Sequence, residues 1–234
     1  MTIVIQKVKT FDVDRHLCTL DAERQLRKGR PIVRVTKAQA ERNRAHIVAT
    51  AARLFRERGY DGVGVAELMA AAGFTHGGFY KHFRSKADLM AEASASGLAQ
   101  TAARAEGLDP AEFVERYVSR EHRDGRGDGC TIAALSGDAA RQSADIKTEF
   151  AAGIENLLTA LQAQRDTPGD ADQRATRTMV IDMLAHSVGA VMLSRACPDG
   201  SPLADEILDV CRAGILASLT HGNVDGSEAG GPEA

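Results

Sequence analysis

From Thr36 onward, apolar residues recur three and four apart. In AERNRAHIVATAARLFRERG, Ile47, Ala51, Leu54 and Phe55 fall on one helical face. Thr36-x-x-Gln39 has the form of a capping box ahead of that helix, and Gly59 ends it. Gly62 and Gly64 mark a loop. VAELMAAAG then predicts a short helix with Val65, Leu68, Met69 and Ala72 inward, broken at Gly73. A second short helix follows at once in GFTHGGFYKHF, with Thr75 as its cap and Phe79 and Phe83 on one face. Ser85-x-x-Asp88 opens a long Ala-rich helix to about Ala105.

The rest of the chain also reads as helix. Asp109-Pro110-Ala111-Glu112 combines an N-cap, a Pro at the first position and an acid three residues on, and predicts a helix to about His122. RDGRGDG, residues 123–129, is a charged, Gly-rich loop. Helices are predicted from about Cys130 to Gln142, from a Ser143 cap through Leu161, from about Ala171 to Ala196, and from Ser201-Pro202 to about His221. No strand pattern emerges. The expected class is all-α, with residues 1–35 a mobile extension, 36–90 a helix-turn-helix domain, 91–221 a second helical domain and 222–234 a disordered tail.

GFTHGGFYKHF is a poor helix on its own. Gly77 and Gly78 each cost about 1 kcal/mol relative to Ala in a helix interior. Its polar residues are Thr75, His76, Tyr80, Lys81 and His82, with Lys86 at the start of the next helix. A helix-turn-helix needs a small residue at its turn, polar donors on its second helix and flanking cations for phosphates. Gly73, Thr75, Tyr80, Lys81, His82 and Lys86 supply these in order, and helix N-termini add a positive end. Gly77 and Gly78, lacking Cβ atoms, let a backbone approach a groove closely.

Charge sharpens this picture. Residues 1–90 carry 17 Lys and Arg against 9 Asp and Glu, a net of +8, whereas residues 91–234 carry 12 against 23, a net of −11. A basic front on an acidic rear suits a polyanion-binding module joined to something else. Cys18, Cys130, Cys197 and Cys211 are scattered without a CxxC, so neither a disulfide framework nor a metal site is indicated. The sequence suggests no secretory signal, no membrane span and no cofactor loop, and a cytoplasmic protein with reduced thiols is expected.

ARLFRERGYDGVGVAELMAAAGFTHGGFYKHFRSKADLMAEA resembles the N-terminal domain of TetR-family transcriptional regulators, of the TetR/AcrR type, over about residues 37–95. FYKHF and SK-x-x-L stand at the family spacing. The resemblance implies an all-α protein of nine or ten helices and a homodimer on palindromic, double-stranded operator DNA. It implies a C-terminal ligand-binding domain whose last two helices form a four-helix bundle across the two-fold axis. By position, Thr75, His76, Gly77, Gly78, Tyr80, Lys81 and His82 belong to the reading helix and its phosphate contacts. Lys86 matches a phosphate-binding lysine, and Phe79 and Phe83 match core positions. Gly64-Val65 stands where many relatives carry a Ser or Thr cap. Val33 matches the usual start, so residues 1–32 are an addition: either a basic arm toward a groove or a consequence of where the start is assigned.

GCTIAALSGDAAR, residues 129–141, resembles one branch of the family, in which GC opens the sixth helix beside the ligand cavity. Two readings of Cys130 follow. With Arg123 and Arg126 nearby, a thiol at a helix N-terminus gains thiolate character and suits a sensor of oxidants or electrophiles. Alternatively, Cys130 is a buried small apolar residue. Cys197 and Cys211 flank CPDGSP at the expected dimer face, where a pair would normally stay reduced. His186, Met179 and Met183 are candidate lining for a ligand pocket, or else core and interface residues. No catalytic set can be assembled, and a ligand- or thiol-responsive repressor, not an enzyme, is expected. The other reading is a helical small-molecule binding protein or enzyme with a vestigial DNA-binding domain.

Overall fold

The computed structural model describes residues 36–163 and 169–221, so the expectations for 1–35 and 222–234, including Cys18, fall outside the described residues. At the start, the Thr36 hydroxyl accepts from the Gln39 amide (3.2 Å), as its capping pattern requires. Helix α1, Lys37–Arg58, then buries Ile47, Val48, Ala51, Leu54 and Phe55. It stops where Gly59 takes φ +74°, a left-handed conformation natural to glycine.

Helix α2, Val65–Ala71, starts from Gly64, which offers no side-chain cap, as the sequence indicates. Gly73 makes the tight turn at φ +78°. The short helix expected next is a 3₁₀ helix, His76–Lys81. Gly78 donates to the Thr75 carbonyl (2.9 Å) and His82 to that of Phe79 (2.9 Å), so the short segment winds tightly across its paired glycines. Thr75 occupies the N-cap position, but its side chain makes no capping bond.

Helix α3, Lys86–Ala105, is capped by Ser85, which accepts from the Asp88 amide. Its first half, through Leu89, Met90 and Ala93, closes the core of the helix-turn-helix together with Phe79 and Phe83. Its second half packs along helix α7, Ala144–Gln162, the most extensive helix pairing among the described residues. The two backbones approach closely because Gly153 faces Leu98.

The single helix expected from Asp109 to His122 is two. Helix α4, Pro110–Tyr117, has the full Asp109–Glu112 capping box, and helix α5, Arg120–Asp124, follows after a break at Val118. Ser119 explains the break: its hydroxyl accepts from the His122 amide and starts a new helix. A 3₁₀ turn, Arg126–Asp128, leads to helix α6, Thr131–Ala139. Ser143 stands at the N-cap of α7 without a side-chain bond. Helix α8, Asp170–Ala196, and helix α9, Pro202–His221, pack against each other and are the last of the described helices. No strand occurs among the described residues, and the all-α expectation holds. The segment Asp172–Ala196 is long and apolar enough to cross a membrane by composition, with a mean hydropathy of 1.3. Of that apolar stretch, 39% is buried inside the protein.

A Cβ added at Gly153 would lie 2.6 Å from Leu98 Cβ and 2.8 Å from its Cγ. Gly153→Ala is therefore expected to lower stability by about 1–3 kcal/mol through overpacking, read as an earlier urea midpoint.

Candidate nucleic-acid interface

The second helix of the helix-turn-helix divides cleanly. Phe79 and Phe83 are buried, with ring centroids 5.5 Å apart. Thr75, His76, Gly77, Tyr80 and Lys81 are exposed, and Tyr80 is 69% exposed despite being aromatic. The Tyr80 ring lies edge-on to Phe79 (5.3 Å) and to His76 (6.3 Å), which holds it in place without covering it. His82 is half-buried against Phe74 and Phe83. Lys86 is also half-buried, and its ammonium donates to the Tyr60 carbonyl (2.6 Å).

Neither glycine of the pair is demanded by the fold. A Cβ at Gly77 would meet nothing within 4 Å, and one at Gly78 would meet only Met69 Cε and Thr75 Oγ1 at ordinary contact distances. Neither has a positive φ.

One further residue secures this element and has no local sequence signal. Arg44 on α1 lies over the Phe83 ring, 4.3 Å from its centroid. Its guanidinium pairs with Glu92 on α3 (Nε to Oε1, 3.1 Å) and donates to the His82 carbonyl. The end of the 3₁₀ helix is thus tied to α1 and α3 together.

Cys130 is the N-cap residue of α6 and is 5% exposed. Its amide donates to His122 Nε2 (3.0 Å), and His122 Nδ1 lies 2.7 Å from the Tyr117 carbonyl. The ring is therefore neutral with its proton on Nδ1. The buried Tyr117 hydroxyl finds no nitrogen or oxygen partner and meets the Cys130 side chain instead. Burial, with the adjacent sulfur, holds this phenol well above its ordinary range.

Arginines dominate the surroundings, but not in the arrangement expected from sequence. Arg123 is 2% exposed and points away into the protein, donating to the Ser194 carbonyl (3.2 Å), the Cys197 carbonyl (3.3 Å) and Asp124 (2.6 Å). Arg126 is exposed.

The pocket candidates separate. Met183 is buried, Met179 is partly buried against the core, and His186 is exposed on α8. A groove of about 540 Å³ lies between α3 and α7, lined by Ala99, Ala102, Ala103, Glu106, Asn156, Thr159, Ala160 and Ala163. It includes none of the three. The described cysteines Cys130, Cys197 and Cys211 are free.

Residues 47–93 match the family described as bacterial regulatory proteins, tetR family. The HTH-type transcriptional regulator AcrR of Shigella flexneri is 41% identical over 61 residues. That match spans 26% of this chain and only 28% of the Shigella protein, so it concerns the front of the chain alone. The HTH-type transcriptional repressor DhaR of Mycobacterium sp. (strain GP1) is 26% identical over 189 residues, 76% of this chain and 94% of that protein. Among solved structures, the reduced form of NemR from E. coli superposes with a TM-score of 0.57 at 20% identity, covering 74% of this chain and 94% of that one. A TetR regulator from Legionella pneumophila reaches 0.60 at 18% identity, covering 74% and 95%.

Burial lowers the pKa of His122 from its ordinary 6.5; the hydrogen bond to Tyr117 opposes this shift, and Arg195 and Arg104 add to it. Below about pH 6.5 the unfolded chain therefore binds a proton that the folded chain refuses. Stability should fall as pH drops from 6.5 toward the lower folded-state value. Urea melts between pH 7.5 and 5 are expected to show a shallower decline in His122→Gln than in the parent; equal slopes would remove His122 as the cause.

Proposed function

We propose that the chain is a TetR-family transcriptional regulator, as the match of residues 47–93 to that family supports, and that it is a homodimeric repressor bound to a palindromic, double-stranded operator. A small-molecule effector, or modification of a thiol, releases it. On this reading residues 36–90 contact DNA and residues 91–221 bind the effector and pair the subunits. Its place of action is the cytoplasm, and it is not an enzyme: the relatives it matches are named as regulators, DhaR as a repressor.

The observation that carries the DNA assignment is the arrangement of residues 75–82. Donors and an aromatic ring stand exposed around two buried Phe anchors, beside a glycine pair with no internal purpose. Tyr80 and Lys81 reach phosphates, Thr75 and His76 reach base edges or the backbone, and Gly77 and Gly78 admit the groove wall. His82 and Lys86 contribute from the rim, with Lys86 keeping donors beyond its bond to Tyr60.

The dimer assignment draws on two exposed apolar stripes. Helix α8 exposes Ile181, Met192 and Leu193, and α9 exposes Leu203 and Val210. Burying such a surface against a second copy is the economical solution for a helix pair. His186 lies on the exposed side of α8, which favours an interface role over a pocket role. Met183 and Met179 remain candidates for lining an effector site from the inside. The thiol route rests on Cys130, whose sulfur must be uncovered before a reagent can reach it. The rival reading, a binding protein or enzyme with an idle front domain, predicts no sequence-specific DNA binding.

Gly77→Leu is expected to leave the melting temperature and dimer unchanged while weakening binding to the upstream intergenic duplex by tenfold or more, about 1.4 kcal/mol. Lys81→Ala should weaken binding and lower the salt slope by about one. Footprinting the parent protein on that duplex decides between the two readings, since the rival reading predicts no protected site.

A further inference from the structure

Arg56, on the last turn of α1, turns inward and is only 7% exposed. Its Nε donates to the Gly127 carbonyl (2.7 Å), and its Nη1 lies 3.5 Å from Thr131 Oγ1, at the first residue of α6. Neither acceptor is charged. Asp128 and Glu57 act on the guanidinium through space, and no ion pair forms on it among the described residues.

Gly97 leaves room for the slot it occupies, and Gly127 supplies the carbonyl at its mouth. A Cβ at Gly97 on α3 would overlap Thr131 Oγ1 and lie 2.9 Å from Arg56 Nη1. A Cβ at Gly127 would lie 2.5 Å from Glu57 Oε1 and 3.1 Å from Arg53 Cγ. A side chain at Gly97 would force the guanidinium or its Thr131 acceptor to move, whereas one at Gly127 would press on Glu57 and Arg53.

The other end of α6 is tied to the same place. Asp138 Oδ2 accepts from the Tyr60 amide (3.3 Å), and Gly59 leaves room for that carboxylate, where a Cβ would lie 2.7 Å away. Tyr60 is itself built into the helix-turn-helix, its hydroxyl 2.6 Å from Ser94 Oγ and its carbonyl bonded to Lys86. Helix α6 is therefore fastened at both ends to residues four apart at the end of α1.

We propose that Arg56 is a positioning residue for DNA recognition: seated between Gly97 and Gly127, it holds the N-terminus of α6 against α1 and fixes the attitude of the helix-turn-helix. A displacement of segment 126–131 breaks the two bonds and frees α1 to tilt. The inference rests on the DNA-binding reading but makes a claim of its own about α6.

Two full-length variants test it. Arg56→Met removes the donors at similar volume. Gly97→Ala displaces the guanidinium without changing any charge, and cannot act by deleting a phosphate contact. Thr131→Val, which removes one buried acceptor, replaces either variant that fails to fold. Amide hydrogen exchange at residues 127–132 and affinity for the upstream intergenic duplex are measured on each. The expected result is faster exchange at 127–132 and about tenfold weaker binding in each variant. Lys81→Ala should weaken binding with exchange at 127–132 unchanged. Unaltered exchange in the folded variants overturns the proposal, as does unaltered affinity in variants whose parent binds. A parent that does not bind the duplex counts against the DNA-binding reading, while the exchange data still decide whether Arg56 holds α6.

Discussion

The segment from Val118 to Asp128 contains the ends of three short helical pieces, and their terminal carbonyls need donors. Arginines supply them from four different helices. Arg212 on α9 reaches the Val118 carbonyl, Arg195 on α8 reaches those of His122 and Arg123, Arg56 on α1 reaches Gly127, and Arg104 on α3 reaches Asp128. Arg123 returns the favour to α8, donating to the Ser194 and Cys197 carbonyls at its end. A planar, permanently charged group with five donors in a fixed fork can bridge two carbonyls in one orientation, as Arg195 does. The positive charge also complements the negative ends of these helices. The front and rear of the molecule meet on this shared ground.

The recognition element depends on neighbours in the same way. A six-residue 3₁₀ helix with two glycines has little stability of its own. Phe79 and Phe83 anchor it below, and Arg44 joins its exit to α1 and α3. The exposed side is thereby left to chemistry: Tyr80 can stand in solvent because Phe79 and His76 hold its ring edge-on.

Which of these features were legible in the sequence follows from what each interaction needs. Helix faces, glycine stops at Gly59 and Gly73, and caps at Ser85 and Asp109 are local, and local pattern predicts them. The break at Val118 was hidden because Ser119 within a helical pattern also reads as an ordinary surface residue; only its bond to the His122 amide makes it a cap. The 3₁₀ winding of His76–Lys81 was hidden because two glycines weaken any helix without choosing which. The arginines were least legible. Arg56 and its acceptor Gly127 are 71 residues apart, and Arg195 and Arg123 are 72 apart. In sequence each looks like a solvated charge. His186 was ambiguous for a related reason: apolar neighbours suit a pocket, a core or an interface alike, and only the fold shows that α8 turns it outward beside residues that are themselves apolar and exposed.

A connecting layer made of guanidinium–carbonyl bonds behaves differently from one made of aliphatic packing. Apolar contact is non-directional and yields gradually as surfaces slide. A hydrogen bond to a carbonyl fails within a few tenths of an ångström or a modest rotation, and a buried cation left without acceptors is strongly disfavoured. Arg56 has only neutral acceptors, so its place in the slot depends on both Gly127 and Thr131 staying where they are. Cys130 and His122 stand at the edge of it, the amide of Cys130 at the start of α6 bonded to the His122 imidazole on α5. Any event that disturbs that pair acts on the residue next to Thr131, and through it on the arginine that sets α1.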